Sequence, residues 1–284
     1  MTSRDEGAAD AVFVSPHLDD AALSCAGGIA RLTRAGARVV VATVFTADAA
    51  EGAALSPAAR RNHMRWGAGD APFERRRRED EAAMRLLGAE FVHLGLPDAI
   101  YRADASGRPI STHVPVHPDE ERAFLPAVRA RLELLLASEA ARVFCPAGIG
   151  RQADHAIVRA AVEAVRPAGS IVYYEEYPYI TRPDPGLPSG ALPSHVTTLA
   201  LSAEELEARV AAIACYRTQL RGLFPTRVER ALEVLAAHTP AVGPLILGRA
   251  DEEAVVRRAA RCISEDARAV GERYRSCGSG PSPF

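Results

Sequence analysis

The chain has 284 residues, 34 lysine-plus-arginine against 36 acidic side chains, and a formal charge of −2. Every basic residue is arginine, so Schiff-base lysine chemistry and a P-loop lysine are excluded. The near-neutral balance argues against a general nucleic-acid binder, and no apolar run approaches the ~20 residues that span a bilayer.

The remaining bulk features set the class. A composition of 48% hydrophobic and 25% charged residues is that of a soluble globular chain. Met1–Asp10 is polar and acidic and lacks the apolar core of a secretory leader, so a cytoplasmic protein is expected. Five scattered cysteines with no CxxC pair indicate neither a disulfide framework nor a thiolate zinc site.

In chain order, Ala11–Ser15 reads as a buried strand, Ala21–Ala35 as a helix and Ala37–Phe45 as a β-rich strand. Glu74–Leu87 is a helix stopped by Gly88, followed by a strand at Glu90–Leu94. Pro97–Pro118 is a long loop, Asp119–Ser138 a helix and Arg142–Cys145 a strand. A helix over Asp154–Val165 and a strand over Ser170–Glu175 follow, then a Pro/Gly-rich flap at Thr181–Pro193. His195–Leu201 reads as a strand, Ser202–Leu220 as a helix opened by a Ser202/Glu205 capping box, and Glu252–Tyr274 as a last helix. Ser276–Phe284 reads as a disordered tail after one α/β domain over residues 1–275. Alternating short strands and helices predict an α/β fold with a mainly parallel sheet.

Two segments carry chemistry, both at strand-to-helix junctions. Ser15-Pro16-His17-Leu18-Asp19-Asp20 puts one imidazole and two carboxylates at the tip of the first strand, where parallel sheets hold ligands. Nitrogen plus carboxylate oxygen suits zinc and other first-row ions; the alternative is that the two aspartates only cap the helix. Gly148–His155 follows the Arg142–Cys145 strand in the same way. His17, Asp20 and His155 together offer three nitrogen or oxygen ligands with a fourth position open, leaving Asp19 beside the metal where a general base belongs. His113 and His117 lie in a Pro-interrupted loop, and His63, His93, His195 and His238 are isolated. Tyr173, Tyr174, Tyr177 and Tyr179 read as core and cleft-wall residues. Neither GxGxxG nor GxSxG is present.

The run SPHLDDAALSCAGG resembles the (A/S)PHxDD motif of the PIG-L/LmbE-like superfamily of zinc-dependent N-deacetylases. The later ADH is similar to that family's HxDH motif, and ERRRREDEAAMRLLGAEFVHLGLPDA to its R-x-x-E helix, next strand and Asp-bearing loop. YYEEYPY is similar to an aromatic-acidic strand of bacterial members. The resemblance implies a Rossmann-like sheet with a metal at the carboxyl edge of its strands. It implies zinc, with iron(II) as the alternative ion, on His17, Asp20 and His155, and Asp19 as the base. Asp154 and Gln152 fall on further catalytic positions, and Arg76 and Asp98 on positions that hold substrate. The implied reaction is removal of an N-acyl, chiefly N-acetyl, group from a sugar-like small molecule such as an N-acetylglucosaminyl conjugate, within natural-product assembly. Gln152 stands where the family motif has histidine, and glutamine cannot shuttle a proton. That departure keeps two further readings open: an amidase acting on a non-sugar amide such as a thiol conjugate, and a catalytically silent binding homologue.

Overall fold

Each residue of Ala11–Ser15 is buried, as a central parallel strand covered on both faces requires. A computed structural model describes residues 8–67, 72–104, 106–110, 112, 118–188, 192–225, 252–269, 271–277 and 283–284. The first strand is β1. Helix α1 (Asp20–Arg34), strand β2 (Val39–Ala47), helices α2 (Pro57–Trp66) and α3 (Pro72–Leu87), and strand β3 (Glu90–Pro97) follow. Then come α4 (Pro118–Glu133), β4 (Arg142–Pro146), α5 (Ala153–Val165), β5 (Ile171–Tyr174) and β6 (His195–Leu199). Helices α6 (Ala203–Ala214), α7 (Arg217–Leu223) and α8 (Glu252–Ala269) lead to β7 (Glu272–Ser276).

The sheet order is β3-β2-β1-β4-β5-β7-β6. The first five strands are parallel, as the alternating pattern predicts. Alternate residues of β1 enter different cores. Ala11 and Phe13 pack with Ile29, Met84 and Ala212, on the face carrying α1, α3 and α6. Val12 and Val14 pack with Val128, Leu132 and Ile157, on the face carrying α4 and α5. The chain steps outward from β1 through β2 to β3 and then returns to β4 on the other side of β1. This reversal makes the carboxyl ends of β1 and β4 the topological switch point, where open α/β sheets bind ligands.

The C-terminal half departs from the sequence reading in three places. Glu252–Tyr274 is not one helix: α8 stops at Ala269 and β7 runs antiparallel between β5 and β6. Gly271 makes the break at φ +70°, and a Cβ there would stand 2.7 Å from the Leu199 carbonyl oxygen. Ser202–Leu220 is two helices, although the Ser202/Glu205 capping box forms as expected. In the segment read as a tail, Ser276 ends β7. Phe284 packs on Tyr274 (ring centroids 4.6 Å apart) and Phe144 (5.6 Å).

Helix α2 was not read from the sequence at all. Ser56 accepts from the Ala59 amide at its start and Pro57 occupies the first turn. Among the described residues no helix is long and apolar enough to cross a membrane.

Candidate metal and catalytic site

A tight turn after β1 carries the three candidate side chains His17, Asp19 and Asp20 at the sheet edge. Ser15 Oγ donates to the His17 carbonyl (2.7 Å) and accepts from the Ala21 amide (3.1 Å), while the Asp19 amide donates to the His17 carbonyl (3.0 Å). Asp19 occupies the N-cap of α1 but makes no side-chain cap hydrogen bond. Asp20 turns away from its own helix and accepts from the His17 amide at 2.9 Å. The helix-capping alternative therefore accounts for neither carboxylate.

Asp20 Oδ2 is the meeting point. It lies 3.1 Å from His17 Nδ1 and 3.2 Å from His155 Nε2. Donors bonded at 2.0–2.2 Å to a tetrahedral ion stand roughly 3.3–3.6 Å apart, so a small expansion accommodates a cation between them. His155 is fully buried, and its Nε2 has Asp20 Oδ2 nearby but no well-formed hydrogen bond, which leaves its lone pair open to a cation. Its Nδ1 is held by Glu176 Oε1 at 3.1 Å, the carboxylate–imidazole arrangement that orients metal-ligating histidines. Glu176 is itself pinned by the amides of Gly148 (2.7 Å) and Ile149 (3.1 Å).

A second group of donors lies alongside. His17 Nε2 is 2.9 Å from Asp154 Oδ2 and 3.7 Å from Asp98 Oδ2. The other Asp154 oxygen takes the Arg102 guanidinium at 2.5 Å, and the Ala99 amide bonds to Oδ2 at 3.0 Å. Both triads are close enough to hold an ion. Arg102 already supplies the cation for Asp154, so the His17–Asp20–His155 set is the better metal site. Asp154 then fixes the far nitrogen of His17, with the Asp98 carboxylate adding its charge from 3.7 Å.

Burial pushes the Asp19 carboxyl up to about 7, helped by the charge of Asp20 and opposed by Arg76. Burial also works to raise Asp20, but His155 and His17 outweigh it and hold Asp20 well below the usual carboxylate range. For His155 burial works downward, yet Asp20 and Glu176 carry it up to about 9. The negative surroundings that favour a proton on these imidazoles equally favour a metal cation between them.

His17, Asp19, Asp20, Asp98 and Asp154 line a cleft of about 450 Å³, with His155 fully buried behind them. Arg76 and Asp98, expected as substrate contacts, both line it. Arg76 is not part of a solvated helix face. It is 3% exposed, and its guanidinium lies 4.6 Å from the Trp66 ring centroid and 4.9 Å from that of Phe73. Asp98 spends Oδ1 on the Ile100 amide at 3.0 Å. Arg61, Arg65 and Arg182 also line the cleft. Gln152 caps α5 by position without a side-chain cap bond and instead meets Tyr179.

Sequence reading missed Glu176 and Arg102. The only signal for Glu176 was the acidic pair in YYEEYPY at a strand's carboxyl end. For Arg102 there was none, because its partner Asp154 is distant in sequence. His63 bonds to Tyr101 Oη (2.6 Å), His93 to Asp80 (2.8 Å), and His195 sits exposed on β6. His113, His117 and His238 lie outside the described residues.

Fold and site together define an α/β protein with a His/Asp/His centre at the carboxyl edge of its sheet. The chain belongs to the PIG-L family, described as GlcNAc-PI de-N-acetylase, whose profile matches residues 12–166. It is 36% identical over 176 residues to the 2'-N-acetylparomamine deacetylase of Streptomyces fradiae, over 61% of this chain and 58% of that one. It is 30% identical over 239 residues to the enzyme of the same name from Niallia circulans, over 77% of this chain and 83% of that one. Among solved structures it is similar to the zinc-inhibited form of teicoplanin deacetylase (30% identity, 80% and 93% coverage, TM-score 0.66). It is also similar to the deacetylase of the A40926 pseudoaglycone (30%, 81% and 93%, TM-score 0.62).

Proposed function

We propose that this chain is a metal-dependent hydrolase that removes an N-acetyl group from an amino sugar or sugar-like small molecule. The supporting observation is the convergence of His17 Nδ1 and His155 Nε2 on Asp20 Oδ2, with His17, Asp19 and Asp20 lining the cleft and His155 buried beneath it. The substrates named for the relatives, 2'-N-acetylparomamine and teicoplanin, support the amino-sugar class. A divalent ion on these three residues, zinc by the character of a two-nitrogen, one-oxygen set or iron(II), supplies Lewis-acid polarisation and an activated water.

The chain's own residues do the rest. Asp19, with a carboxyl near pH 7, is matched to take a proton from the attacking water and return it to the departing amine. Arg76 keeps Asp19 from rising further. Glu176 and Asp154 lock the two imidazoles in place from behind, so the donor atoms need little reorganisation. Asp98 and Arg76 are the groups proposed to hold the sugar hydroxyls.

Metal analysis of the purified chain, with fluorescent detection of amine released from a panel of N-acyl amines, tests the reading. Stoichiometric metal that is lost in His155→Ala, and amine release from N-acetyl amino sugars, are expected. Full metal occupancy with no hydrolysis across the panel would establish the silent binding reading. Turnover confined to non-sugar amides would establish the amidase.

A further inference from the structure

Gln152 stands where the family motif carries histidine, and its side chain is engaged in an unusual way. Its Nε2 donates to the Tyr179 phenol oxygen at 2.5 Å. The Tyr179 ring lies flat on Gly150, where a Cβ would stand 2.8 Å from the ring carbons. Arg182 covers the ring with its guanidinium 4.5 Å from the centroid. The edge of the ring meets His155, with centroids 6.2 Å apart and planes at 77°. Gly150, Gln152 and Tyr179 all line the cleft beside Asp19 and Asp20.

The donor accounting is specific. A phenol has one proton and accepting lone pairs. With the Gln152 amide nitrogen placed on the phenol oxygen, a lone pair is filled, and among the described residues no other acceptor takes the Tyr179 proton. A phenol ordinarily titrates at about 10, so at neutral pH the hydroxyl has its proton to donate.

We propose that the Tyr179 hydroxyl is the hydrogen-bond donor to the acyl oxygen of the substrate as its carbon becomes tetrahedral, and that Gln152 is the residue that positions it. This rests on the deacetylase reading above. As the water oxygen adds to the acyl carbon, the carbonyl π pair moves onto oxygen and Tyr179 shares its proton without losing it. On collapse that pair returns to re-form the carbonyl, the C–N bond breaks, and the amine takes its proton from Asp19. Tyr179 and Gln152 thus divide between two side chains the work of a single histidine.

The test is steady-state kinetics of Tyr179→Phe on an N-acetyl amino sugar that the wild type hydrolyses. The phenylalanine ring preserves the packing on Gly150, and metal stoichiometry checks folding. The expected result is a kcat lower by roughly 100-fold, the scale of losing one oxyanion donor, with KM within about threefold. Affinity for a tetrahedral methylphosphonamidate analogue should fall by a similar factor, while affinity for the amine product stays level. Gln152→Ala should lose less, and adding Gln152→His to Tyr179→Phe should restore part of kcat. Unchanged kcat in Tyr179→Phe, or a loss confined to KM, overturns the assignment and leaves Tyr179 a wall residue. A wild type that hydrolyses no N-acetyl amine overturns the deacetylase reading and this inference with it.

Discussion

Replacing Glu176 by glutamine isolates the group behind His155 without changing its shape. In the native structure Oε1 accepts from the Gly148 amide (2.7 Å) and faces His155 Nδ1 (3.1 Å), while Oε2 accepts from the Ile149 amide (3.1 Å). A glutamine has one oxygen and one NH2 at these two positions, so at least one N–H must face another N–H. Glu176 is fully buried, and an unsatisfied buried donor costs about 1–3 kcal/mol, equivalent to a melting temperature lower by roughly 2–12 °C in a chain of this size. Loss of the anionic partner of a ligating histidine also weakens metal binding by about 10–100-fold. Competition against a chromophoric chelator, with parallel thermal melts, measures both. Glu175→Gln is the control: its carboxylate points away to Arg273 (3.0 Å) and Arg275 (2.5 Å), so its metal affinity should stay at the wild-type value. Wild-type metal affinity in Glu176→Gln would refute the role of the Glu176–His155 pair in the site.

Asp19→Asn should retain metal and lower kcat for amine release by about 10²–10⁴-fold, the range for removing a general base; retained turnover would dismiss Asp19 as the base. Chelation should lower the melting temperature in proportion to the metal's affinity for the folded chain, whereas the same chelator on His155→Ala should leave the melt unmoved. Arg209→Met should cost about 3–5 kcal/mol in a denaturant melt, because Arg209 Nη1 (2.8 Å from Glu272 Oε1) is the guanidinium neutralising a fully buried carboxylate. That carboxylate also takes the Gly27 and Gly28 amides (2.7 and 2.8 Å), so a loss near the lower end, with metal content unchanged, is the expected outcome.

What was legible in the sequence follows from how local each determinant is. The parallel strands and their helices could be read because burial on both faces leaves an unbroken apolar run, as in AVFVS, and an amphipathic helix repeats within a few turns. His17, Asp19 and Asp20 were readable because strand, turn and helix start are contiguous. Strand β7 was not, because Glu272–Ser276 is polar in composition. Its place is set by Tyr274 and Glu272 reaching inward to partners on α1 and β1's neighbours, and by Gly271 passing close to the Leu199 carbonyl. Arg76 could not be separated from Arg75, Arg77 and Arg78 by composition, since only the fold shows which of the four faces Trp66 and Phe73. Glu176 and Arg102 act on His155 and Asp154 from 21 and 52 residues away in the chain, a relationship that no local pattern records.

The distribution of charge around the floor gives a separate physical reason for a cation. Asp19, Asp20, Asp98, Asp154 and Glu176 are all buried there. Arg102 neutralises Asp154 directly, and Arg76 acts on Asp19. Asp20, Asp98 and Glu176 are left to two imidazoles and backbone amides. Burying carboxylates costs several kcal/mol each unless opposite charge is close. Protons on His17 and His155 could meet that demand, but they would place two cations with ring centroids only 5.3 Å apart. A divalent ion held by His17, Asp20 and His155 would supply the same charge at the oxygen where these three side chains already meet. The network's electrostatic cost lies where a metal would relieve it, so metal binding and fold stability should rise and fall together.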